Sequence, residues 1–493
     1  MQKKNMTPSG AAKGASQLKS GLSKSVFLAI AVASVPSVSS FSAQPAVAQT
    51  IDSELYDGGK ARVNRSASLR SLTEAVASAS CQVNAGIGTD VAQEKLADAR
   101  RDFDKIVDGL VNGNPALGMP GAERRARTLA DLEKTAALWA PLNASAESLS
   151  AGTGSSADAD TISSGYKTLF EQTELLAAVV SGQYSNPTQL LQSDATVINF
   201  AGRQRALAYR MSRAMCELAT GTGSPDALEE LKTSVDLFQQ TLVALRDGFP
   251  AAGINPPPTP AVYDSLQKTF ELWQGQRAMF DAAIAGQTPT SDDVEKAAAL
   301  TDQLSVAMNN TITLYLIATP GQDDVYRVPL EAYARGELSN WIINPELIAA
   351  IKAQNGAHDG LSEDEVIALD QEWRAEAGAG GGPLIEKLLT APMSDWLLAQ
   401  QQGTAGFVTE VFVMDNKGLN VAQSVETSDY WQGDEAKWQE TYSVGPDALH
   451  ISEVEFDDST GFYQSQASLS IKDPASGEVI GAITFGINVQ SLM

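Results

Sequence analysis

The sequence predicts a mainly α protein with a C-terminal α/β part: a duplicated antiparallel helical bundle followed by an antiparallel sheet with flanking helices. Three observations carry this. From Asp194 onward, Val197, Ile198, Ala201, Leu207, Met211, Ala214, Met215 and Leu218 recur mostly at spacings of three and four, the pattern of a helix with one apolar face. The same unit stands 135 residues earlier, where Asn64, Arg70, Leu72 and Cys81 match Asn199, Arg205, Leu207 and Cys216. After Gly406 the period switches from helical to alternating, with β-branched residues over Phe407–Met414.

The chain opens on a targeting pattern. Lys3, Lys4, Lys13, Lys19 and Lys24 form a basic region without an acid, Val26–Val35 is apolar, and Ala46-Val47-Ala48 supplies a small-residue cleavage site. The apolar run falls short of the ~20 residues a spanning helix needs. The expected product is a periplasmic protein cleaved near Ala48, with an uncleaved anchor as the competing reading.

The whole chain carries a net charge of −25, from 35 basic and 60 acidic residues. Removing residues 1–48 takes away five lysines and no acid, which leaves about −30. Such a charge repels nucleic acid and anionic lipid, so neither is expected as a partner. It also makes the cluster Arg203, Arg205, Arg210 and Arg213 a local exception.

The repeat extends well beyond its first helix. Leu96 aligns with Leu231, Phe103 with Phe238, Leu110 with Leu245, Gly113 with Gly248, Pro115 with Pro250 and Gly118 with Gly253. One deletion later, Leu132 meets Leu266 and Trp139 meets Trp273. An offset held over such a span is an internal duplication. The boundaries that follow are a signal peptide at 1–48, helical repeats at 49–185 and 186–319, a helical connector and lead-in helix at 320–400, and a sheet-containing domain at 401–493.

Each repeat divides into four helical stretches at Gly/Pro/Ser/Asn breaks; in the second they fall near 187–220, 226–248, 259–285 and 291–318. Ser224-Pro225-Asp226 reads as a helix start, and Gly221 and Gly248 as helix ends. Two four-helix units are the simplest architecture, and one elongated bundle sharing its core is the alternative.

In 320–400, Ser362 and Glu365 form a capping box, Gly378–Gly382 is a break, and Pro383–Gln401 reads as one helical stretch. Beyond it, Asp415-Asn416-Lys417-Gly418 is a hairpin turn, and Leu419–Ser424, Tyr463–Ile471 and Val479–Val489 are further strands. A sheet of four or five strands is expected.

The only two cysteines, Cys81 and Cys216, occupy one repeat position. In an exported protein this points to a disulfide, which would stabilise by ~4–5 kcal/mol through loop closure.

The residues now carry a resemblance. Asn199-Phe200-Ala201-Gly202-Arg203-Gln204-Arg205, continuing to Tyr209-Arg210, resembles the sensor segment of type IV pilus (PilJ-type) methyl-accepting transducers. It is also similar to the P-box of nitrate sensor kinases, Asn-x-Ala-Gly-Ser-x-Arg-Met followed by Tyr/Leu-Arg. Arg203 and Ala206 depart from that pattern, and the first copy has Ala67 for the glycine. Residues 406–493, with VFVMDNKG, SDYWQGDEAKW and GEVIGAITFG, resemble a Cache (PAS-like) extracytoplasmic sensor domain.

The P-box resemblance implies a pair of arginines around a small planar anion, one from each subunit of a dimer. The matching residues are Arg70 and Arg205, with Asn64 and Asn199 beside them. Guanidinium suits the task because it stays charged and donates a planar fork. Duplication would place both halves of such a site in one chain, about a pseudo-twofold axis; simple solvation or salt-bridging of the arginines is the alternative. In the Cache-like part, Tyr430, Trp431, Asp434 and Trp438 form a second candidate, an aromatic and acidic cage for an amine or small polar ligand. Against it stands a packing role for Trp431 and Trp438 on one helix.

Catalysis finds no support: His358 and His450 stand apart, and no HExxH, CxxC or G-x-S-x-G occurs. No cofactor or metal site is indicated. The expectation is an exported sensor that binds a small molecule and signals to a membrane-bound kinase or chemoreceptor, with a homodimer left open. A ligand-free periplasmic scaffold built on helical repeats is the alternative.

Overall fold

The computed structural model describes residues 57–184, 192–222, 226–318, 326–404, 406–457 and 462–492. The expected signal peptide and the Ser224-Pro225 helix start lie outside the described residues. The first repeat consists of α1 (Gly59–Ala85), α2 (Thr89–Asn112), α3 (Ala126–Ser150) and α4 (Ser156–Tyr184). The second consists of α5 (Gln192–Thr220), α6 (Ala227–Asp247), α7 (Pro260–Ile284) and α8 (Ser291–Ile317).

Duplication in sequence reappears as duplication in packing. Phe103 stacks on Trp139 with ring centroids 4.2 Å apart, and Phe238 meets Trp273 at 4.8 Å. The indole nitrogens donate to the same repeat position, Asp104 in one copy and Gln239 in the other, each at 2.7 Å. The α2–α3 and α6–α7 connections each hold a 3₁₀ turn, Pro115–Leu117 and Pro250–Ala252. An isolated bridge closes each one, Asn114 to Met119 and Phe249 to Ile254.

The two copies join along α1 and α5. Arg70 reaches Asn199, Arg210 reaches Glu74, Ser78 reaches Ser212, and Cys81 bonds to Cys216, at sequence separations of 129, 136, 134 and 135. Near-constant separation means that the helices run parallel with equivalent positions side by side, as a pseudo-twofold axis along the helices requires. The disulfide is present, with Cα atoms 6.3 Å apart, inside ordinary bridging range. Because of this central position α1 is buried almost all round, although it is rich in serine and threonine. Its hydroxyls are satisfied on its own helix: Ser66, Ser68, Ser71 and Thr73 donate to carbonyls three or four residues back. One continuous apolar core runs through both repeats and on into the C-terminal part, so the bundles share their interior as the alternative architecture expected.

Five helices lead to the sheet: α9 (Arg327–Gly336), α10 (Pro345–His358), α11 (Glu363–Gly378), α12 (Pro383–Leu389) and α13 (Pro392–Gly403). The Ser362–Glu365 capping box opens α11. The stretch expected as one helix from Pro383 is two, because Pro392 disfavours helical geometry at Ala391, whose ψ is 140°. The sheet comprises β1 (Val408–Met414), β2 (Asn420–Gln423), β3 (Leu449–Ile451), β4 (Glu455–Asp457), β5 (Phe462–Lys472) and β6 (Val479–Asn488). It is antiparallel in the order β2-β1-β6-β5-β3, with β4 also on β5. It therefore has six strands, against the four or five expected; the added β3 and β4 have three residues each, too short to show a period.

Alternation along β1 divides its side chains between two layers. Val411 and Val413 join the main core with Leu347, Ile351 and Leu397. Phe412 and Met414 face the other way and pack with Trp438 and Tyr442. A last 3₁₀ turn, Val489–Ser491, follows β6 and returns the chain to the helical repeats.

Candidate functional site

The return of that turn creates the site. Arg65 on α1 donates from Nη2 to the Gln490 carbonyl oxygen at 2.8 Å, and Gln490 Nε2 donates to Asn310 on α8. Gly118 lets the turn approach: a Cβ there would lie 2.2 Å from the Leu492 oxygen, whereas a Cβ on its repeat partner Gly253 would meet nothing. Between the turn and the bundle lies a cavity of about 200 Å³, whose lining includes Asn64, Arg65, Arg205, Asn309, Asn488 and Gln490. None of the described residues that line it is acidic.

Arg205 is 7 % exposed and has no carboxylate partner among the described residues. Its Nη1 donates to Asn309 Oδ1 and its Nη2 to Ser68 Oγ at 3.1 Å, while its buried Nε has no partner among the described residues. Arg65 likewise has a buried Nε without a partner among the described residues. Both guanidinium pKa values are lowered to about 10, chiefly by burial; Arg65 and Arg70 contribute to the lowering at Arg205, whereas Asp102 partly opposes it at Arg65. Both stay charged at neutral pH. A buried cation held by neutral groups alone is costly, and the missing element is a negative charge.

The pseudo-symmetric position differs. Arg70 donates from Nη1 to Asn199 Oδ1 at 2.7 Å and lies 3.6 Å from Glu174 Oε1, which also sits 3.4 Å from Arg203 Nε. Its guanidinium crosses α5 at Gly202, where a Cβ would lie 2.9 Å from Nη2. Of the four residues singled out in the repeats, Arg205 and Asn64 line the cavity, whereas Arg70 and Asn199 bond each other outside its lining. Arg65, Asn309 and Gln490 were not singled out. Only Asn309 had a signal in the sequence, since it lies 135 residues after Glu174.

The second candidate group is divided. Tyr430 stacks on Trp373 at 5.5 Å in a small core that Trp431 flanks, while Trp438 stacks on Tyr442 at 4.8 Å in another. Asp434 is exposed. Trp431 and Trp438 do not share a helix: only α14 (Ala436–Gln439) is helical there, and Trp431 pairs with Leu419 as an isolated bridge. Both indole nitrogens are occupied by backbone oxygens, Lys417 for Trp431 at 2.9 Å and Asp415 for Trp438 at 3.1 Å.

The helix that carries Arg205 falls wholly within one family match, which ends inside the first turns of α8, before Asn309. Residues 188–299 match the type IV pili methyl-accepting chemotaxis transducer N-terminal family. The chain is also 26 % identical over 154 residues to the methyl-accepting chemotaxis protein McpN of Pseudomonas aeruginosa, covering 30 % of this chain and 28 % of that protein. The chain thus aligns with less than a third of this relative. Residues 188–299 of the second repeat are thus similar to the N-terminal region of such transducers. No helix among the described residues is long and apolar enough to cross a membrane.

Proposed function

We propose that this chain is an exported, periplasmic sensory protein that binds a small anion and passes the bound state to a membrane-bound chemoreceptor or kinase, in chemotaxis or two-component signalling. The observation that carries the reading is Arg205: a buried guanidinium without a carboxylate partner among the described residues, beside a cavity whose described lining has no acid. An anion would supply the missing charge and accept from the free Nε, and a planar oxyanion fits the guanidinium fork best. The transducer similarity of the second repeat supports a signalling rather than a catalytic role. The basic, then apolar, N-terminal segment supports export. The C-terminal sheet with its flanking helices serves in this reading as a Cache-like module coupled to the repeats.

The test is a thermal-shift panel of nitrate, nitrite, formate, acetate, small dicarboxylates, amino acids and amines at constant ionic strength. At about a hundred times its dissociation constant, a ligand adds ~2.7 kcal/mol to stability. Anions are expected to stabilise the wild type and not Arg205→Gln, with amines inert. A response to amines that survives Arg205→Gln would overturn the anion reading, and no response across the panel would favour the scaffold.

A further inference from the structure

We infer that the anion is clasped between the two modules, with Arg65 as the second guanidinium and the C-terminal turn as the closing wall, so that occupancy is read directly by the sheet module. This rests on the anion reading above and adds its partner groups and its mode of signalling.

The geometry assigns three parts to the clasp. Arg205 on α5 supplies the uncompensated charge. Arg65 on α1 lines the same cavity, and its head group is divided between two tasks: Nη2 holds the Gln490 carbonyl at 2.8 Å while the buried Nε has no partner among the described residues. The third wall is the end of the chain, where Asn488, Gln490 and Ser491 line the cavity opposite the two arginines' helices. Asn488 also caps the turn, its Oδ1 accepting from the Gln490 amide at 3.0 Å, so the turn has a fixed shape to present.

Charge explains why closure would respond to occupancy. Without an anion, Arg65, which lines the same cavity, adds to the lowering of the Arg205 pKa, a repulsion felt across the seam between α1 and α5. An anion that accepts from both reverses that sign. Arg65 is the residue that also grips the turn, so fixing its guanidinium fixes the Gln490 contact. A ligand shifts such an equilibrium only through contacts made better in one state than the other. Here those contacts are Arg65 Nε and the polar groups of residues 488–491.

The arrangement is one-sided by construction. Gly118 of the first repeat receives Leu492, while a Cβ at Gly253, its counterpart, would have open space around it. The pseudo-symmetric counterpart of Arg205, Arg70, has a carboxylate of its own repeat, Glu174, nearby. One arginine of the pair therefore has a carboxylate beside it, and the other opens on the sheet module without one among the described residues.

The test uses the mature chain with nitrate and formate as probes and chloride as the control, at constant ionic strength. Titration calorimetry measures affinity, and amide hydrogen exchange reads residues 489–492. The expected result is binding in the wild type, loss in Arg205→Gln, and at least a tenfold weakening in Arg65→Gln, as for one charge-assisted hydrogen bond. Exchange of residues 489–492 should slow severalfold on binding in the wild type and not in Arg65→Gln. Arg65→Lys, which keeps the charge that faces Asp102 but loses the fork, guards against misfolding and should also weaken binding. Binding that is lost in Arg205→Gln but stays within twofold of wild type in both Arg65 variants would overturn the clasp and leave the anion reading standing. Unchanged exchange of 489–492 on binding would overturn it equally. No binding of either probe to the wild type would overturn both.

Discussion

Glu174 and Asn309 occupy the same position in the two repeats, and each lies against the equivalent arginine. Glu174 lies 3.6 Å from Arg70, whereas Asn309 accepts a hydrogen bond from Arg205. Asn309 supplies an acceptor without the charge. This difference between the copies puts a carboxylate beside one arginine and, among the described residues, none beside the other.

Asn309→Glu should therefore restore the missing partner. An internal carboxylate would compete with any external anion and satisfy Arg205, a gain of about 1–3 kcal/mol for a charged hydrogen bond. The expected outcome is a higher unfolding midpoint and loss of the anion-induced thermal shift. A variant that still responds to anions as the wild type does would show that Arg205 is not where they bind.

Gly202→Ala tests the crossing of Arg70 over α5. In an ordinary helix interior alanine gains ~1 kcal/mol over glycine. Here its Cβ would stand 2.9 Å from Arg70 Nη2 and 3.2 Å from Ala67 Cβ. Overpacking of a buried contact costs about 1–3 kcal/mol, so the net expectation is a destabilisation of ~1 kcal/mol by urea denaturation. Arg70→Gln in the same background should remove the clash, and the two effects should fail to add.

Much of this fold is legible in the sequence, because duplication prints the same residues twice. The Phe103–Trp139 and Phe238–Trp273 pairs and the paired Gly118 and Gly253 turns are visible as identities. The fourth helices are harder: Leu169 matches Leu304, but Thr173 meets Met308 and Leu176 meets Thr311, so burial is kept while residue type is not. That is why Asn309 passes unnoticed beside Glu174. The Arg65–Gln490 contact spans 425 residues and belongs to no repeat or period. It follows from where the sheet module docks, which no local pattern encodes. Tyr430, Trp431 and Trp438 cluster in sequence, yet irregular backbone sends them into two separate cores.

The repeats are also tied by charge, and this tie is pH-dependent. Glu230 on α6 takes Arg213 Nη2 at 2.6 Å and pairs with Lys167 on α4 of the first repeat. Burial opposes its charge, but the hydrogen bonds from Arg213 and Lys167 win, and its pKa lies below the usual 4.5. A carboxyl depressed in the folded state stabilises fully above its unfolded pKa and loses that contribution as pH falls through the folded value. Stability should accordingly drop from about pH 4.5 downward. In Glu230→Gln that acid limb should be shallower, with a lower plateau at pH 7. Superimposable pH profiles for the two proteins would exclude this link.

The Cys81–Cys216 bond closes the same seam that Arg70–Asn199 and Arg210–Glu74 bridge nearer the helix starts. Its loop is long, so its removal should cost ~4–5 kcal/mol in the chain-entropy model, chiefly by freeing the unfolded chain. The folded contacts should survive, because Glu74 remains held between Arg210 at 2.7 Å and Arg213 at 3.1 Å. Cys81→Ala with Cys216→Ala is therefore expected to lower the denaturation midpoint while leaving the helical circular dichroism and the anion response at 25 °C unchanged. If the anion response disappeared while the helical signal persisted, the disulfide would be setting the register of α1 against α5, and not merely limiting the unfolded ensemble.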